Sequence, residues 1–133
     1  MGLDNLSDIS TELEISIIRE FADKGVFGGK YEFYVPISAA NDFIEHCRSR
    51  EVAITGIETV KITEEGTSPL MDYIADFSSV VEKDWSTQVC LTYNASKTFL
   101  PHIPRDKNLF VTFTLMTREE WKPGRHRMVL PAE

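Results

Sequence analysis

Two stretches of the chain alternate side chains with a period of two. In Val52 to Ile62, Val52 and Ile54 alternate with Ala53 and Thr55 until Gly56 interrupts. Beyond it, Glu58, Val60 and Ile62 fall on one side and Ile57, Thr59 and Lys61 on the other. In Leu109 to Thr117, Leu109, Val111, Phe113 and Leu115 share one side, and Phe110, Thr112, Thr114 and Met116 the other. Alternation of β-branched and aromatic residues predicts strands. The second stretch is apolar on both sides and is expected inside a sheet. Gly56 lacks a Cβ, which fits either a simple relief of packing or a bulge. A bulge would shift the side-chain phase by one and make Ile54 and Ile57 core neighbours. Tyr31 to Ile37 also has strand composition, with Pro36 at its end or edge because proline donates no amide hydrogen.

Helical spacing fills the intervals. From Ser10 to about Lys24, Leu13, Ile17 and Phe21 form one apolar stripe, with Ser10 or Thr11 as cap and Gly25 as stop. Ser38 is placed to cap a helix over Ala39 to Ser49 that buries Ala39, Ala40, Phe43, Ile44 and Cys47. Asp42, Glu45, His46, Arg48 and Arg50 fall on its wet side. Asp84 can cap a helix over Trp85 to Phe99 that turns Trp85, Val89, Tyr93, Leu91 and Phe99 inward.

The remaining segments are punctuation. Glu64 to Pro69 has turn composition, and Leu70 to Phe77 reads as a short helix or an extended arm. Gly28-Gly29 is a turn, since no Lys-Ser/Thr follows to make a phosphate loop. Residues 1–8 and 118–133 read as a fraying leader and a polar tail, the tail either solvated or ending in a short edge strand at Arg127 to Leu130. These elements predict one α/β domain over 1–133, with α+β as the alternative. Both clear strands belong to one small sheet flanked by the helices near 39–49 and 85–99, joined by right-handed crossovers.

Composition narrows the function classes. The chain has 133 residues, 42% of them hydrophobic and 26% charged, which suits a globular domain and argues against wholesale disorder. No apolar run approaches the ~20 residues that span a bilayer. The first residues lack the basic and apolar regions of a secretory signal, so a cytoplasmic location is expected. The net charge is −7, and residues 31–100 hold eleven acids against five bases. Such a body disfavours nucleic acid, whose phosphates need clustered Lys and Arg, and favours a basic partner.

No chemical motif stands out. Cys47 and Cys90 lie far apart on helices among apolar neighbours, and neither has a partner at zinc-ligand spacing. Asp72 and Asp76 would share a face if their segment were helical. Paired carboxylates can exchange protons or hold a hard cation, yet no histidine or third ligand joins them. His46 reads as a surface residue, and Arg125, His126 and Arg127 as a solvated tail able to touch an anion. No catalytic residue, metal site or cofactor is expected.

A further pattern lies in Ala40 to Cys47 followed by Val52 to Glu58, continued by Gly66, Pro69, Asp72, Asp76-Phe77 and Asp84-Trp85. This arrangement resembles the immunity protein 40 family of bacterial polymorphic toxin systems, over about residues 37–113. The resemblance implies an α/β protein without catalytic residues that binds and neutralises a cognate toxin made by the same cell. A small metabolite-binding domain or enzyme is the alternative. For the toxin, basic at the contact, the densest acidic candidates are Glu64, Glu65, Asp72, Asp76, Glu82 and Asp84. Tyr73 and Trp85 are the nearby aromatic anchors, because aromatic residues dominate interface hot spots.

Overall fold

The computed structural model describes residues 12–28 and 32–121. In chain order these form α1 (Glu12–Phe21), β1 (Val26–Gly28), β2 (Glu32–Pro36), α2 (Ile37–Ser49), β3 (Ala53–Thr63) and β4 (Gly66–Asp76). Then come α3 (Trp85–Phe99), a 3-10 turn at Leu100–His102, β5 (Leu109–Met116) and the short α4 (Arg118–Trp121). The strands make one sheet in the order β1-β2-β5-β3-β4, every neighbour antiparallel. The architecture is α/β, with both alternating strands in one sheet as expected, and there side by side. Neighbouring strands are antiparallel, and the helices still serve as crossovers: α2 joins parallel β2 and β3 across β5, and α3 joins parallel β4 and β5 across β3.

Among the described residues, α1 and α2 pack on one face of the sheet. Phe33, Val35, Ile54, Ile57, Leu109 and Val111 pack into one core with Ile17, Ala40, Phe43, Ile44 and Cys47 from α1 and α2. Phe43 is its centre: its ring stacks on Phe113 at 4.6 Å between centroids and meets Phe21 edge-on at 5.1 Å. At one corner a smaller cluster joins Ala53 to Trp85, Val89 and Trp121.

Gly56 marks a true bulge. The β3–β5 register shifts between Ile54 and Gly56, so Ile54 pairs with Leu115 and Ile57 with Phe113. Both isoleucines therefore reach the helix face, at 2% and 0% exposure. The link from α2 to β3 is equally specific. The Val52 amide donates to the Cys47 carbonyl and the Glu51 amide to that of Arg48, while Glu51 takes a left-handed φ of 59°. This is the Schellman closure of a helix, with glutamate where glycine is usual.

Several boundaries differ from expectation. Helix α2 starts at Ile37 with Pro36 as its cap and no side-chain cap bond, so Ser38 lies inside the helix. Helix α1 ends at Phe21 and turns before Lys24. Val26–Gly28 is a short strand paired with β2 through Phe27↔Phe33. Residues Leu70 to Asp76 continue β4 and are not helical. In α3 the buried side is Trp85, Gln88, Val89, Thr92 and Ser96, while Leu91 is 41% exposed. Small polar residues let α3 come close to the start of β3, where the Ile54 amide meets Thr92 Oγ1 at 3.4 Å. Arg118–Trp121 form a helical turn that buries Trp121, whereas the expected edge strand at residues 127–130 lies outside the described residues.

Candidate functional site

The acidic candidates follow one margin of the molecule. Strand β4 is an edge strand, joined to β3 by a hairpin whose last pair is Thr63↔Gly66. Glu64 and Glu65 form its tip and are exposed. Gly66 follows with φ of 131°, a backbone state that glycine adopts without steric cost. Pairing then breaks. Val60 faces Pro69 and Glu58 faces Ile74, so four residues of β4, 70–73, stand opposite Thr59 alone. This wide bulge lifts Met71 to 73% exposure, with exposed Asp72 beside it. A proline and a bulge on an edge strand also discourage indiscriminate strand pairing.

Asp76 and Asp84 carry structural duties. The Asp76 carboxylate accepts from the Ser78 amide at 2.9 Å and turns the chain out of β4. Hydrogen bonds from Ser78 hold its carboxyl below the usual carboxylate range. Asp84 caps α3 as expected: its Oδ2 accepts from the Thr87 amide at 3.0 Å, Ser86 Oγ at 2.7 Å and Thr87 Oγ1 at 3.0 Å. Ser86, then Thr87, lower its pKa. Between them lies Glu82, whose amide donates to Gln88 Oε1. Buried Gln88 also donates from Nε2 to the Val80 carbonyl, clasping the segment before α3. By contrast, no hydrogen bond or ion pair ties the carboxylates of Glu64, Glu65 or Asp72 to another described residue.

The two aromatic candidates face inward. Trp85 is 5% exposed, its indole nitrogen donates to the Glu51 carbonyl at 3.1 Å, and its ring lies 5.4 Å from that of Trp121. It is a core residue and cannot anchor a partner. Tyr73 is half-buried and packs against the main core. Exposed apolar side chains on this margin are instead Met71, Ile74 and Val81. Sequence reasoning missed Met71 because an apolar residue in a short run reads as buried until the register is known.

The candidates are therefore strung along an edge, not gathered in a pocket. Asp76 pairs with Gly56, seven steps from the last hairpin pair, so it lies about 23 Å from the tip at ~3.3 Å per residue. Asp72 and Asp76 are strand residues, so the helical pairing weighed for them does not occur. Among the described residues, no three His, Cys, Asp or Glu side chains come together as a metal-binding group. A cleft of about 290 Å³ opens where α2 begins, lined by Pro36, Ile37, Ser38, Arg105, Asp106 and Lys107. It includes neither Asp72, Asp76 nor a histidine.

Other titratable groups serve the helix layer. Glu45 Oε2 accepts from Lys97 and from the Tyr93 hydroxyl, each at 2.7 Å, which joins α2 to α3 and lowers the Glu45 pKa. Arg50 reaches from α2 to Glu20 at 3.1 Å and Ser16 at 3.0 Å on α1. Cys47 and Cys90 are both free thiols. Burial pushes the Cys47 thiol well up, so it behaves as a small apolar side chain. No described helix is long and apolar enough to cross a membrane. Compared with known proteins, the chain matches no family model, no curated protein and no solved structure.

Proposed function

We propose that this protein is a cytoplasmic immunity protein: it binds a cognate bacterial toxin, basic at the contact, and neutralises it by occlusion. The observation that carries the reading is the hairpin margin, where Glu64, Glu65 and Asp72 stand exposed beside Met71. Carboxylates with no internal partner lose no native contact when a cation meets them. An exposed apolar side chain among them supplies area to bury. Complementary charge speeds association and rejects wrong partners. The sequence resemblance to the immunity protein 40 family points to the same role, and nothing in the margin calls for a cofactor.

The test begins with co-purification from the native host and identification of what binds. The bound protein is then expressed alone and with this chain. The reading predicts that it is toxic alone and harmless when the chain is present at equal amount. A bound protein whose activity or toxicity is unchanged by saturating chain would contradict it.

A further inference from the structure

The sheet has a second face. Cross-strand partners share a face, so the register places Thr112, Glu58 and Ile74 in one row and Thr114, Gly56 and Asp76 in the next. These residues point away from α2, which packs on the side of Ile57 and Phe113. Val26, Glu32 and Tyr34 continue the same face through β2 and β1. Apart from the corner at Ala53 and Met116, no described helix packs on it, while two of its residues, Tyr34 and Val60, are buried at 5% and 6% exposure. Glu32, Glu58, Thr114, Ile74 and Asp76 are exposed there. The register puts Lys61 on the helix face, opposite Leu109, and leaves no described lysine or arginine on this one.

The negative charge on this face perturbs its own neighbours. Tyr34 donates its hydroxyl to Glu32. Burial, this bond and the charges of Glu32 and Glu58 push its pKa up to about 12. Between Thr114 and Asp76, Gly56 leaves the backbone bare, which lets a partner approach closely.

We infer that the exposed part of this face, around Glu58, Thr114, Ile74 and Asp76 and continuous with the acidic hairpin, is the docking surface for a cationic protein face with aliphatic side chains among its Lys and Arg. The inference rests on the toxin-binding reading and adds where the partner sits. Charge selects the occupant. A second copy would set Glu58 and Asp76 against like charges, and an anionic membrane or nucleic acid would be repelled. Area sets the extent. Strands ~4.8 Å apart and rows of five residues bound the face at roughly 20 by 20 Å, and with Tyr34 and Val60 buried its exposed part is less than about 400 Å². A standard interface takes ~800 Å² from each partner, so the hairpin tip and the Met71 bulge belong to the same footprint. Exposed Ile74, between Glu58 and the edge, is its apolar centre.

Site-specific photo-cross-linking in the native host tests this. p-Benzoylphenylalanine is placed at Thr114 on the open face, at Glu64 on the tip, or at Asp42 on α2, and adducts are mapped by peptide mass spectrometry. The expected result is a heterologous adduct from Thr114 and from Glu64, none from Asp42, with the cross-linked peptide flanked by Lys or Arg. The partner so identified is purified, and its association with Glu58→Lys and Thr114→Arg is measured. Each variant should associate about tenfold or more slowly at low salt. Circular dichroism and the melting temperature of each variant control for folding, and Glu58→Gln gives a milder second variant. An adduct from Glu64 without one from Thr114 overturns the inference and leaves the toxin-binding reading standing. So does a Thr114 adduct to a second copy of this chain. Adducts from Asp42 alone overturn the inference and the hairpin margin as the contact, and adducts from no position overturn the toxin-binding reading as well.

Discussion

At the scale of single residues, backbone conformation and burial decide what each polar group does. Glu51 holds φ at 59° to close α2, a state that costs a side-chain-bearing residue roughly 1 kcal/mol relative to glycine. Glu51→Gly should therefore raise stability, by up to about 1 kcal/mol after the added freedom of the unfolded chain is counted. Urea denaturation measures it, and a loss of stability would contradict the capping account. Asp84 supplies the opposite case. Its folded pKa is lowered, so its contribution is present above the unfolded aspartate value and is lost as pH falls through the lowered folded value. Asp84→Ala should lower the melting temperature at pH 7, and the gap from the parent protein should close on acidification below the folded value. Asp84→Asn, which keeps an acceptor for the Thr87 amide, should lose less.

Tyr34 works in the other direction of pH. Its pKa is raised to about 12, so its stabilising contribution is complete below the ordinary tyrosine value of about 10. That contribution drains away as pH rises from about 10 to about 12. Tyr34→Phe should flatten the loss of stability across this interval. An unchanged alkaline limb would mean that Tyr34 does not sense Glu32 and Glu58.

At the scale of elements, the sequence is legible wherever packing follows a period. The central strands, α2 and α3 stand where alternation and helical spacing put them, and the phase shift at Gly56 accounts for Ile54 and Ile57 both being buried. Phe43, read as buried from its spacing on α2, is 2% exposed and stacks on Phe113. Phe43→Ala should cost about 3–5 kcal/mol in equilibrium unfolding, since no neighbour can fill the space of a lost ring. A cost below about 1 kcal/mol would place the core elsewhere. What escaped is set by long-range contacts. Leu70 to Asp76 pairs with β3 despite its charge, because β3 presents a free edge. Thr92 and Ser96 are buried because α3 must approach β3 closely, and the apolar stripe that would have announced this is missing from α3.

At the scale of the whole molecule, function is a matter of which charges have internal work. Of the eight candidate residues, Asp76 and Asp84 hold turns and caps, Glu82 sits in the segment clasped by Gln88, Tyr73 leans on the core and Trp85 belongs to it. Composition displayed the acids, but only the hydrogen-bond geometry separates the occupied carboxylates from Glu64, Glu65 and Asp72. The exposed Met71 and the sheet face on which no described helix packs were invisible to the sequence, since both depend on strand order and on the bulge. This division also corrects how the interface should be probed. Charge reversal at Asp76 disturbs its turn with Ser78, whereas reversal at the tip or at Asp72 leaves the internal contacts intact.

The most direct measurement is the association rate and affinity of the purified toxin for Glu64→Lys/Glu65→Lys and for Asp72→Lys, at low and at physiological salt. If the hairpin margin is the interface, both variants associate more slowly, the difference shrinks as salt rises, and carboxylates buried in the complex cost roughly 2–5 kcal/mol each. Unchanged rates and affinity in both variants at both salt concentrations, with melting temperatures equal to the parent protein, would contradict the account.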